Sequence, residues 1–182
     1  GIIFHELCYP NESDVSFDWF AQPRVEAELC FKLRKDLIGT DISIEQVLDA
    51  TEYVVPALEI VDIRQRTDGP RKIFDTVADN ASFGAYVVGD RPIRPYEVDF
   101  GLVGFIFEYN NHQKEVASGT AVLDHPANAV AWLAKRFTEL GNPLKAGEMV
   151  MSGSAITILD AKRGDNFRCR YGKFGEVSVN FV

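Results

Sequence analysis

Between Val25 and Leu33 apolar and polar residues alternate without a break. Val25, Ala27, Leu29, Phe31 and Leu33 take the odd positions, and Glu26, Glu28, Cys30 and Lys32 the even ones. A period of two marks a β-strand with one face in a core. It also puts two glutamates together on the other face, about 6.5–7 Å apart along the strand. A second apolar run, Tyr53 to Asp62, reads as a buried strand and carries Glu59 between Ala57 and Val61 at its i±2 positions. A carboxylate in such surroundings is costly unless it is paired or bound to a metal. Three of them, with waters completing an octahedron, suit Mg²⁺ or Mn²⁺ better than Zn²⁺. One alternative stays open at this level. Glu26 and Glu28 can line the solvent face of an edge strand, with Glu59 paired to an arginine.

The rest of the chain is also strand-rich. Ser43 with Gln46 three residues on forms a capping-box pattern for a short helix through Val47, Leu48 and Ala50. Arg64 to Lys72 is polar and reads as a loop. Leu102 to Tyr109 and Val116 to Val122, separated by Asn110-Asn111-His112-Gln113, predict a hairpin. His125 to Leu140 is the clearest helix, with Pro126 in its first turn and Gly141 and Pro143 after it. A final hairpin runs through Asn166–Tyr171 and Glu176–Val182. The expected class is β-rich α+β, in one domain over residues 1–182.

Charge and cysteine usage exclude several functions. Nineteen Lys and Arg against 27 Asp and Glu give a net charge of −8, which argues against nonspecific nucleic-acid or acidic-membrane binding. Three cysteines without a CxxC pair argue against a zinc site or disulfide framework and fit a cytoplasmic setting. No apolar run reaches the roughly 20 residues of a membrane span. Gly1-Ile-Ile-Phe reads as the middle of a strand, so the chain is expected to begin inside a longer protein.

Five segments together resemble the fumarylacetoacetate hydrolase superfamily, in its hydratase and decarboxylase branch. They are Pro23-Arg-Val-Glu-Ala-Glu28, Ala57-Leu-Glu-Ile-Val-Asp62, Asp75-Thr-Val-Ala-Asp-Asn-Ala-Ser82, the segment from His125-Pro-Ala-Asn to Ala134, and Gly175 to Val182. The resemblance implies a mixed β-sheet roll with a few short helices. It implies Mg²⁺ (or Mn²⁺) on Glu26, Glu28 and Glu59, and a small 2-oxo acid as the partner in a homo-oligomeric enzyme. The implied reaction adds water to a 2-oxo or 2-hydroxy dienoate diacid, converting 2-oxohept-3-ene-1,7-dioate to 4-hydroxy-2-oxoheptanedioate. A shorter pentadienoate substrate, decarboxylation of 4-oxalocrotonate, C–C hydrolysis of an acylpyruvate and a catalytically incomplete homologue remain alternatives. The lysine and aspartate that the family uses for proton transfer precede the point matching Gly1. For the substrate, Arg71 and Lys72 are candidates for the second carboxylate, Ser154 for the first, and Asn80 for a further contact. Asp79 and Asn80 also suit an architectural role, since Asx side chains often bond local backbone.

Overall fold

The computed structural model describes residues 1–65, 69 and 72–182. In chain order its strands and helices are β1 (Cys8–Pro10), β2 (Ser13–Val15), β3 (Pro23–Leu33), α1 (Ile44–Ala50), β4 (Thr51–Asp62), α2 (Ile73–Ala78), β5 (Phe83–Val88), β6 (Gly104–Tyr109), β7 (His112–Ser118), α3 (Pro126–Glu139), β8 (Met149–Met151), β9 (Leu159–Asp160), β10 (Asn166–Arg170) and β11 (Glu176–Phe181). They build two sheets. One has the order β1-β5-β4-β3-β8, with β9 also on β3, and the other β2-β11-β10-β6-β7. β1 on β5 and β2 on β11 are parallel and the remaining pairs antiparallel, so both sheets are mixed. This is the strand-rich α+β architecture that the alternation predicts.

The core lies between the sheets. Val25, Ala27, Leu29, Phe31 and Leu33 of β3 and Leu58 and Ile60 of β4 meet Phe105, Phe107, Phe167, Val177, Val179 and Phe181 of the second sheet. Ala127, Val130 and Ala134 of α3 join the same core. The odd positions of β3 are thus consumed, and the even ones must face away.

Pairing on both flanks removes one alternative. β3 has β4 on one side and β8 and β9 on the other, so it is no edge strand. Its register with β4 sets Glu26 opposite Glu59 and Glu28 opposite Ala57. A slip of one residue would turn both glutamates into the core, and the apolar odd positions hold the register against it. Behind the carboxylates, the buried Tyr171 hydroxyl is shared between the carbonyls of Glu28 and Ala57, at 2.9 Å from each.

The capping box on α1 is present: Ser43 Oγ accepts from Gln46 N, and Gln46 Oε1 from Ser43 N. His125 caps α3, with Nδ1 accepting from Ala127 N. The hairpin is placed differently from its sequence pattern. Asn110 and Asn111 have φ of 51° and 62° and form the turn alone, so pairing resumes at Tyr109↔His112. Two consecutive left-handed residues make the tight primed turn. β7 therefore occupies His112–Ser118 and ends before Val122, in a short 3₁₀ turn at Gly119–Ala121. A Cβ on Gly119 would lie 1.9 Å from the Phe100 carbonyl oxygen, an approach that only glycine allows. Among the described residues no helix is long and apolar enough to cross a membrane.

Candidate metal centre

β3 supplies Glu26 and Glu28 from successive outward positions, and β4 brings Glu59 beside them. One carboxylate oxygen from each residue lies within 4.8 Å of the others. Oxygens around a single Mg²⁺, each about 2.1 Å from it, stand at most about 4.2 Å apart. Small side-chain rotations therefore bring all three onto one ion. Glu28 is buried at 1% exposure, and Glu26 and Glu59 are half-buried. Among the described residues none of the three has a Lys or Arg ion partner; Gly153 N–H donates to Glu28 Oε2 at 2.8 Å. Three clustered carboxylates with no Lys or Arg ion partner among the described residues, and only the more distant charge of the chain's first amino group acting on Glu59, are a donor set for a hard divalent ion.

Electrostatics agree with that chemistry. Burial pushes the Glu26 carboxyl up to about 7, and the charge of Glu59 adds to the shift. Glu28 is held well above the carboxylate range by burial and then by the charges of Glu59 and Glu26. Burial raises Glu59 as well. Without a cation the three compete for protons; a bound cation would favour all three charged forms.

The carboxylates open on a cavity of about 870 Å³. Its lining includes Gly1–Ile3, His5, Tyr86 and the turn at Asn80–Ala81, which we call the near wall, and Lys32, Met149, Met151 and neighbours around Gly147 on the β8 side of β3, which we call the far wall. The near-wall turn is unusual. Asn80, Ala81 and Ser82 are all left-handed, with φ of 52°, 58° and 60°. Side chains brace it from both ends. Arg64 donates from Nη2 to the Asp79 carbonyl (3.1 Å), from Nη1 to the Phe83 carbonyl (3.0 Å) and from Nε to Asp79 Oδ1 (2.8 Å). Ser82 Oγ donates to Asp79 Oδ2 at 3.1 Å.

The residues singled out as substrate contacts in the sequence are distributed unevenly. Asn80 lines the cavity, but its amide is spent on backbone: Oδ1 accepts from Ile2 N (2.6 Å) and Nδ2 donates to Ile2 O (2.7 Å). Ser154 is not among the lining residues; its hydroxyl donates to Ile156 O (2.7 Å) and accepts from Ile156 N (3.2 Å). Its neighbour Gly153 reaches the site instead, through the bond to Glu28. Lys72 is exposed at the head of α2 and is not a lining residue. Arg71 lies outside the described residues. The lysine that does line the cavity is Lys32. Its signal was present, since it continues the even-numbered face that carries Glu26 and Glu28. His5 and Tyr86 gave no such signal, because the chain start and the β5 pairing bring them to the site.

The family described as Fumarylacetoacetate (FAA) hydrolase C-terminal matches residues 5–182. The 2-oxo-hept-4-ene-1,7-dioate hydratase of Escherichia coli is 38% identical over 187 residues, covering all of this chain and 70% of that protein. The 2-hydroxyhexa-2,4-dienoate hydratase of Comamonas testosteroni is 43% identical over 184 residues, covering all of this chain and 69% of that protein. Among solved structures, 4-oxalocrotonate decarboxylase from Pseudomonas putida G7, complexed with magnesium and adipate, superposes with a TM-score of 0.92. It is 32% identical, over 97% of this chain and 67% of that one. The chain thus spans about two thirds of the length of the proteins it matches.

Proposed function

The chain belongs to the fumarylacetoacetate hydrolase family, and from that premise we propose that it carries the metal site of a hydratase acting on a 2-oxo or 2-hydroxy dienoate. The observation that carries this reading is the convergence of Glu26, Glu28 and Glu59 on one cavity. They would hold Mg²⁺ or Mn²⁺. When bound, that ion supplies Lewis acidity to the 2-oxygen of the substrate and a counter-charge to its 1-carboxylate.

The rest of the site orients and encloses. Gly153 N–H fixes one oxygen of Glu28, and Tyr171 fixes the backbone beneath it. Arg64 and Asn80 brace the near wall through bonds to the Phe83 and Ile2 carbonyls. Tyr86 lines the same wall, and burial followed by a bond to the Cys8 thiol raises the pKa of its hydroxyl. In the proposed reaction a dienol tautomerises to the α,β-unsaturated 2-oxo acid. Water then adds its hydroxyl at C4 and its proton at C3. For the seven-carbon diacid this gives 4-hydroxy-2-oxoheptanedioate. Self-association into a homo-oligomer belongs to the same reading and is checked by light scattering.

Decarboxylation is the second reading, favoured by the likeness to the solved decarboxylase. One experiment separates them. The Mg²⁺-loaded protein is incubated with the six-carbon 2-hydroxydienoate diacid, whose terminal carboxyl is vinylogous to the 2-oxo group and can leave as CO₂, and both the 4-hydroxy-2-oxo acid and CO₂ are measured. Hydration without CO₂ is the expected result; CO₂ release without water addition would refute it. Glu59→Gln should abolish Mg²⁺-dependent turnover, and unchanged turnover would remove the three carboxylates from the mechanism.

A further inference from the structure

The geometry points to Lys32 as the residue that selects a diacid, by binding the carboxylate at the far end of the substrate. The inference rests on the hydratase reading for the near end and adds the specificity of the far end. Glu26, Glu28, Cys30 and Lys32 share one face of β3, and the carboxylates and Lys32 line one cavity. Between them Met149 and Met151 line the cavity, paired with Lys32 and Cys30 across the β3–β8 ladder, with Glu148 next to Met149 also on the lining. Cys30 is buried, and Met149 and Met151 pack against it. The order along the trough is therefore carboxylates, hydrocarbon, cation. A substrate with a metal-binding head, a carbon chain and a terminal carboxylate has the same order.

The spacing fits. Four strand steps carry the backbone from Glu28 to Lys32, about 13 Å along β3. A metal–oxygen bond takes up about 2.1 Å and a charge-assisted hydrogen bond about 2.8 Å of that span. What remains, about 8 Å, is close to the length of an extended seven-carbon chain, which advances about 1.3 Å per bond.

Lys32 is also available. Its Nζ donates to the Gly147 carbonyl, which anchors it and leaves two of its three N–H donors. Among the described residues it has no carboxylate partner. The nearby Glu148 carboxylate accepts from Lys145 N at 2.9 Å. A five-carbon monoacid would leave the ammonium over an apolar chain end and gain nothing from it.

The test uses unreactive ligands, so that it does not depend on turnover. Binding of 2-oxoadipate and of 2-oxohexanoate to the Mg²⁺-loaded protein is measured by calorimetry. The wild type is expected to prefer the diacid by about 10- to 100-fold, the usual worth of one hydrogen bond between charged groups. Lys32→Met should bring the two affinities within about threefold of each other, and Lys32→Arg should keep most of the preference. A wild type without preference, or a Lys32→Met variant that retains it, would overturn the inference. Turnover is assayed separately. A wild type that binds the diacid selectively but hydrates no dienoate refutes the hydratase reading and leaves the role of Lys32 standing.

Discussion

The two faces of β3 are one residue apart in sequence and opposite in purpose. The odd face is closed: Val25, Ala27, Leu29, Phe31 and Leu33 are fully buried against the second sheet and α3. The even face borders a cavity and carries three charged residues that a stability-driven design would avoid, Glu26, Glu28 and Lys32, the first two beside Glu59 of β4. The odd face supplies the stability that the even face gives up, and it holds the register that brings the carboxylates together. Substitutions on the two faces should therefore change stability with opposite signs.

The largest effect belongs to the closed face. Phe31 is fully buried and packs on Phe100 with ring centroids 5.9 Å apart. Phe31→Ala should lower unfolding free energy by about 3–5 kcal/mol, read as a lower denaturant midpoint at unchanged slope. On the open face Glu28→Gln should do the reverse in metal-free protein. It removes a carboxyl that burial and the charges of Glu59 and Glu26 force to take up a proton on folding, and it keeps the acceptor for Gly153 N–H. A gain of roughly 1–2 kcal/mol is expected, accompanied by loss of turnover. Added Mg²⁺ should raise the melting temperature of the wild type and leave that of the variant nearly unchanged. A destabilised Glu28→Gln protein would show that the carboxylates are not in mutual conflict.

A smaller effect follows from pH. Glu26 has its pKa raised from 4.5 to about 7 in the folded chain. A raised carboxyl binds its proton more tightly when folded. Its contribution to stability is thus fully present below about 4.5 and is lost as pH rises through about 7. Thermal melts of metal-free wild type should fall across that window, and saturating Mg²⁺ should flatten the fall. A metal-free melting temperature that rises from pH 5 to pH 8 would contradict the assigned environment.

How far the sequence was legible depends on range. The alternation in β3, the capping box at Ser43 and the proline-started helix are local patterns, and each forms where its pattern stands. Glu26 and Glu28 are legible for the same reason; their period of two is a property of one strand. Glu59 needs the antiparallel register as well, which its apolar neighbours restrict but do not specify. The substrate side is less legible because cavity walls are assembled from distant segments. Ser154 follows Gly153 at a strand end, a position that suits a donor to the substrate carboxylate, yet its hydroxyl closes a turn on Ile156. Lys72 stands near the Asp-Asn segment in sequence, but it heads α2 and is exposed, away from the cavity lining. Lys32, which lines the cavity, shares the parity that selects the glutamates.

The smallest expected effect tests whether the open face also stores backbone strain. Asn80, Ala81 and Ser82 follow one another in the left-handed region, where an L-residue costs roughly 1–2 kcal/mol. Arg64 bonds to the carbonyls on both sides of the turn, and Asn80 bonds both polar groups of Ile2. These bonds explain how the turn persists. Ala81 is the exposed member, with no side-chain polar group to lose. Ala81→Gly relieves its steric cost but increases the entropy of the unfolded chain, leaving a net gain of about 0.5–1 kcal/mol. For a chain of this size that is about 1–4 °C in melting temperature. The informative comparison is with turnover. If the strained turn holds the near wall of the cavity in place, the more stable Ala81→Gly protein should show a higher KM for the dienoate. A stabilised variant with unchanged KM would assign the strain to the fold alone.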